Sequence, residues 1–114
     1  MNIFNNAKDA IVYNQENSED RFLFVESKII DKNLEISIKD SGNGVPLNIM
    51  EKIFDPYFTT KHSSIGTGIG LYMTNQIITK QFKGQILVSN IEIENNDKTL
   101  IGAEFKITLP LEDI

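Results

Sequence analysis

The chain of 114 residues contains no cysteine and no tryptophan, three prolines and a single histidine. Without cysteine it has neither disulfides nor thiolate metal sites, a composition that suits a reducing cytoplasm. It has no apolar run near the ~20 residues needed to span a bilayer. Met1 is followed by Asn2 rather than by a basic stretch and an apolar block, so no signal peptide is expected. Basic residues are also scarce. Eleven Lys and Arg stand against sixteen Asp and Glu, for a net charge of −5. That balance argues against a nucleic-acid or anionic-membrane partner, while leaving room for a local basic spot that holds a phosphate. With 40 % apolar and 24 % charged residues and no repeat, the chain reads as one small globular domain.

Hydrophobic periodicity divides the chain into elements. Residues 1–14 read as a helix, with Ile3, Ala7, Ala10 and Asn14 on one stripe and Phe4 and Ile11 beside it. The helix begins at Met1 with no N-cap before it, as though cut rather than started. Phe22–Ile30 and Leu34–Asp40 read as strands around the turn Asp31-Lys32-Asn33. In the second, Leu34, Ile36 and Ile38 face one way and Glu35, Ser37 and Lys39 the other. A short helix is expected over Pro46–Ile53 and a longer one over Ile69–Lys83, with Leu71, Thr74, Ile78 and Phe82 on one face and Gly84 as its stop. Strands Gln85–Glu94 and Thr99–Leu109 close the chain, the last with Ala103, Phe105, Ile107 and Leu109 alternating. Strands joined by short turns imply antiparallel pairs and an α+β sandwich.

Four segments carry chemistry. Asn2 and Asn6 are one helical turn apart, with Asp9 on the same face, and their side-chain carbonyls are hard oxygen ligands suited to Mg²⁺. Asp40-Ser41-Gly42-Asn43-Gly44 ends an apolar strand. A carboxylate there accepts hydrogen bonds only, so it can read an exocyclic amino group, and the glycines allow positive φ and close approach of a flat ring. Ile53–Lys61 packs three aromatics into a polar loop and ends on a lysine that can reach a phosphate as a point charge. Gly66-Thr67-Gly68-Ile69-Gly70-Leu71 runs into a helix, where backbone N–H groups favour phosphate. It is neither a dinucleotide fingerprint nor a Walker loop, because no βαβ unit surrounds it and no Gly-Lys-Ser/Thr ending is present.

In this order, NxxxNAxxA, DxGxG, IFxPxFTTK and GTGxGL resemble the N, G1, F and G2 boxes of the histidine-kinase catalytic domains in the GHKL ATP-binding superfamily. The match runs over residues 2–71, and GAEFKITLP resembles the family's closing strand. The resemblance implies a two-layer α+β sandwich of the Bergerat type. Its sheet would be mixed but largely antiparallel, with helices on one face and a flexible ATP lid over about residues 43–68. It implies that Asn6 ligates Mg²⁺ with Asn2 close by, that Asp40 bonds the adenine amino group, and that Gly42 and Gly44 line the adenine pocket. It further implies that Gly66, Thr67, Gly68 and Gly70 cradle the phosphates ahead of Leu71, and that Phe54 and Phe58 anchor the lid. Many members have a basic residue where this chain has Asp9, which leaves Lys61 as the candidate phosphate cation. The family's domain also normally has a further helix and strand ahead of the N box. An N-terminally shortened domain that binds ATP weakly by itself is therefore expected. The implied reaction is transfer of the ATP γ-phosphate to a histidine on a separate dimerisation domain, and onward to a response regulator. Two other readings share the fold. One is an ATPase switch of the gyrase, mismatch-repair or chaperone type; the other is a non-catalytic nucleotide-binding module. The ATPases have a glutamate at the position of Asn2, and asparagine is a poor general base.

Overall fold

The computed structural model describes residues 3, 7–9, 11–12, 15, 20–56, 70–95 and 97–111. Four strands form one sheet: β1 (Leu23–Ile30), β2 (Asn33–Asp40), β3 (Gln85–Asn95) and β4 (Lys98–Pro110). Their spatial order is β1-β2-β4-β3, and all three pairings are antiparallel. The described strands therefore contain no parallel pair. The β1–β2 turn takes two residues rather than three, with Asp31 at φ 49° and Lys32 at φ 66°. Positive φ at both positions matches the right-handed twist of the strands it joins.

The alternation in β2 and β4 sorts the two faces of the sheet as the sequence implies. Ile38, Ala103, Phe105 and Ile107 are buried, and Ile86 of β3 joins them in the core. Glu35, Ser37 and Lys39 point to the opposite face. There Glu35 meets Lys28 at 3.9 Å and Lys106 at 3.6 Å, Lys39 meets Glu26 at 3.7 Å, and the Ser37 hydroxyl donates to Glu104. Such exposed pairs contribute about 0–1 kcal/mol each. They make one face polar, so the other face is the one that receives the helical layer.

That layer begins with the N-terminal segment. Its described residues Ile3, Ala7–Asp9, Ile11 and Val12 are helical, and Ile3, Ala7 and Ile11 are buried on a single stripe. Ala10 and Asn14 of the expected stripe lie outside the described residues. After the sheet's first hairpin, Pro46–Ile53 does not form the expected short helix. Instead a turn leads into one 3₁₀ turn, Met50–Lys52. No side chain caps its start at Ile49, and a single hydrogen-bonded turn is too short to propagate.

The second expected helix is α1, Gly70–Gln76, followed by a wider π turn over Ile77–Gln81. The extra residue per turn shifts the phase of its face. Leu71 and Ile78 pack on the core as predicted, but Phe82 is left exposed. The stop is also displaced by one residue. Lys83 takes the left-handed position at φ 57°, and the Gly84 N–H then reaches back to the Ile78 carbonyl at 2.8 Å. This is the Schellman pattern with lysine in the usual glycine place. Gly84 is required for a different reason: a Cβ there would lie 2.3 Å from the Thr108 carbonyl oxygen. Among the described residues, no helix is long and apolar enough to cross a membrane.

Candidate functional site

The site grows from the end of β2. Strand pairing places Asp40 opposite Ala103 of β4, and Ala103 opposite Asn90 of β3. Directly opposed residues share a face, so Asp40, Ala103 and Asn90 form a row across three strands on the helix-facing side. Asp40 is 3 % exposed. Its Oδ1 accepts the Gly42 N–H at 2.9 Å, and the Ala103 N–H also donates to the carboxylate. Burial pushes the Asp40 carboxyl above its ordinary pKa, against the two N–H groups that pull it down. The arrangement is an acceptor-only group held rigidly at the floor of a strand end.

The loop after Asp40 is tied at several points. Ser41 has no exposed surface. Its hydroxyl donates to the Asp20 carbonyl at 2.6 Å and accepts the Phe22 N–H at 2.8 Å. Its own carbonyl accepts the Gln15 side-chain amide at 2.7 Å. Ser41 thus binds the chain entering β1 to the chain leaving β2. Asn43 follows at φ 69° and Gly44 at φ 73°, so the left-handed positions fall on Asn43 and Gly44. The Asn43 N–H donates to Ile101 at 2.9 Å. Asn90 holds the next residue from both sides: its Oδ1 accepts the Val45 N–H at 2.7 Å and its Nδ2 donates to the Val45 carbonyl at 2.8 Å. Gly102 lies flush against the Asp40 backbone, and a Cβ there would fall 1.7 Å from the Asp40 carbonyl oxygen.

Four further candidates lie among the described residues. Phe54 packs edge-on against Phe105, with ring centroids 6.3 Å apart and planes at 89°. Gly70 opens α1, and Leu71 packs against the core cluster. Asp9 is helical and half-buried. Asn2, Asn6, Phe58, Lys61, Gly66, Thr67 and Gly68 lie outside the described residues. Among the described residues, no group of three or more acidic or histidine side chains could hold a metal ion. Sequence reasoning gave no site role to Ser41, Asn90, Ala103 or Gly102. Each acts through a backbone contact with a residue distant in the sequence, and no local pattern marks such a contact.

Asp40, Gly42 and Gly44, which the sequence singled out as one motif, are one buried carboxylate and one close-packed turn. A carboxylate there suits a hydrogen-bond donor better than an anion. A stretch of 81 residues is 41 % identical to the signal transduction histidine-protein kinase AtoS of Escherichia coli, covering 71 % of this chain and 12 % of that protein. A stretch of 73 residues is 40 % identical to the sensor kinase CckA of Brucella abortus, covering 64 % of this chain and 7 % of that protein. The chain thus spans only a small part of these relatives' lengths. The catalytic domain of the histidine kinase ThkA superposes with a TM-score of 0.71 at 30 % identity, covering 96 % of this chain and 62 % of that one. Residues 1–113 match the family of histidine kinase-, DNA gyrase B- and HSP90-like ATPases, and the chain belongs to that family.

Proposed function

We propose that this chain is the ATP-binding catalytic domain of a two-component sensor histidine kinase, acting in the cytoplasm on a histidine carried by a separate dimerisation domain. The observation that carries the reading is the buried Asp40 carboxylate, held by the Gly42 and Ala103 N–H groups at the end of β2. Two backbone donors fix its direction, and a carboxylate with up to four acceptor positions has capacity left for an amino group. Adenine offers one at its edge and guanine at that place does not. Gly42 and Gly44 would line the base. Phe54, packed on Phe105, and Phe58 would anchor a lid within residues 43–68, whose first part is tied to the body through Asn43 and Val45. Gly66, Thr67, Gly68 and Gly70, leading into Leu71, would cradle the phosphates, with Lys61 as the cation. Asn6 would hold Mg²⁺, with Asn2 and Asp9 on the same helix face, and the ion would neutralise phosphate charge.

Phosphoryl transfer asks the protein mainly to position groups and neutralise charge. An imidazole nitrogen of the acceptor histidine forms the new P–N bond as the bond between the γ-phosphorus and the β–γ bridging oxygen breaks, and ADP leaves with that oxygen. Nothing in this step requires a base that activates water, and Asn2 supplies none. An ATPase switch, by contrast, would release inorganic phosphate.

The discriminating experiment incubates the chain with γ-labelled ATP, with and without the histidine-bearing dimerisation domain of a related sensor kinase. The expected outcome is acid-labile, base-stable label on that added domain and none on this chain, whose sole histidine, His62, follows Thr59-Thr60-Lys61 with no acceptor motif around it. Free phosphate released at the same rate with or without the added domain, and no protein label, would favour the ATPase switch.

A further inference from the structure

We infer that Asn90 is a positioning residue for the base-reading loop: its side-chain amide clamps the Val45 backbone from both sides and thereby sets the Gly44 turn against Asp40. The inference rests on the nucleotide-binding reading above and adds a residue outside the four motifs.

Three observations carry it. First, the amide makes a closed pair of hydrogen bonds to one residue, accepting from the Val45 N–H at 2.7 Å and donating to the Val45 carbonyl at 2.8 Å. That is the pairing a neighbouring strand would make, delivered by a side chain to a segment that belongs to no strand. Second, Asn90 sits in the row Asp40–Ala103–Asn90, so the clamp issues from the same face as the buried carboxylate. Third, Gly44 fits only because it has no side chain. At φ 73°, a Cβ would lie 2.5 Å from the Asn90 oxygen. The clamp and the glycine are therefore one device: Asn90 presses on the turn, and Gly44 is the residue that tolerates the pressure. The Asn43 N–H bond to Ile101 fixes the other side of the same turn. Because Asn90 is exposed, its two bonds contribute little to global stability, whereas the loop they hold is the one proposed to line the base.

The test compares the unaltered chain with Asn90→Ala, Asn90→Asp and a control, Ser89→Ala, on the opposite face of the same strand. Each is titrated with ATP and with GTP, and its urea unfolding midpoint is measured. Loss of the two bonds predicts about a tenfold fall in ATP affinity. The preference for ATP over GTP should fall with it, while the unfolding midpoint stays near that of Ser89→Ala. Asn90→Asp should be no better than Asn90→Ala, because it sets a second acceptor against the Val45 carbonyl. Unchanged ATP affinity in Asn90→Ala overturns the inference. So does an equal loss of ATP and GTP that tracks a lowered midpoint, which would make Asn90 merely structural. If the unaltered chain binds neither nucleotide, the functional reading falls separately. The clamp is then judged by hydrogen exchange at the Val45 amide, where unchanged protection in Asn90→Ala overturns it.

Discussion

Ser41 and Asp40 are neighbours with opposite economies. Ser41 is fully buried and fully satisfied, donating to Asp20 and accepting from Phe22. Its replacement by alanine strands two backbone groups away from water, and leaving a buried polar group unpaired costs about 1–3 kcal/mol. We expect Ser41→Ala to lower the free energy of urea unfolding by that amount; a loss below about 0.5 kcal/mol, the usual effect of a surface substitution, would show that the clasp between Asp20–Phe22 and the β2 end is slack. Asp40 works the other way. Burial raises its pKa above the ordinary 3.8, so the folded chain binds this proton more tightly than the unfolded chain does. The stabilisation from that proton is complete below the ordinary value and is lost as pH rises through the raised one. At neutral pH the ionised Asp40 therefore opposes folding. A buried carboxylate of this kind is a candidate for a binding task, as proposed above.

Elements were legible in the sequence to the degree that their signals were local. The alternation in β2 and β4 and the turns between strands were enough to place all four strands within a residue or so, because side-chain parity alone decides which face is buried. The end of α1 was not legible. The widening over Ile77–Gln81 carries no local mark in the sequence, and the need for Gly84 arises from the Thr108 carbonyl on another strand. Pro46–Ile53 had a helical composition but no cap and too little length to hold a helix. The candidate site divides in the same way. Asp40, Gly42 and Gly44 are contiguous and announce themselves, whereas Asn90 reaches Val45 across 45 residues of sequence. The junction of β2 and β4 is the most demanding backbone contact described. A Cβ at Gly102 would overlap the Asp40 carbonyl oxygen, so Gly102→Ala must force the two strand ends apart. We expect it to cost more than about 3 kcal/mol, beyond the range of ordinary substitutions. The adjacent, exposed Ile101→Ala should cost under about 1 kcal/mol by the same measure. Equal effects at the two positions in urea unfolding would mean that the close approach is not required.

At the scale of the molecule, the apolar core is placed off-centre. It is densest where β2, β4 and β3 meet the helical layer, at Ile38, Phe105, Ile107 and Ile86. It thins toward β1, where Val25 and Ile29 share the core-facing side with Ile38 but remain 51 % and 69 % exposed. Asp40 sits at the end of the dense part, beside the rigid β2–β4 junction, where a fixed direction for the carboxylate is easiest to maintain. If, as proposed, this junction reads adenine, stability and binding respond oppositely to one change. Asp40→Asn removes the buried charge and keeps the shape. Calorimetric titration with ATP, paired with urea unfolding of the same samples at neutral pH, tests it most directly. Asp40→Asn is expected to be at least as stable as the unaltered chain and to have lost the ATP binding that the unaltered chain displays. Retained ATP affinity in Asp40→Asn would contradict it, because the carboxylate would then have no part in recognising the base.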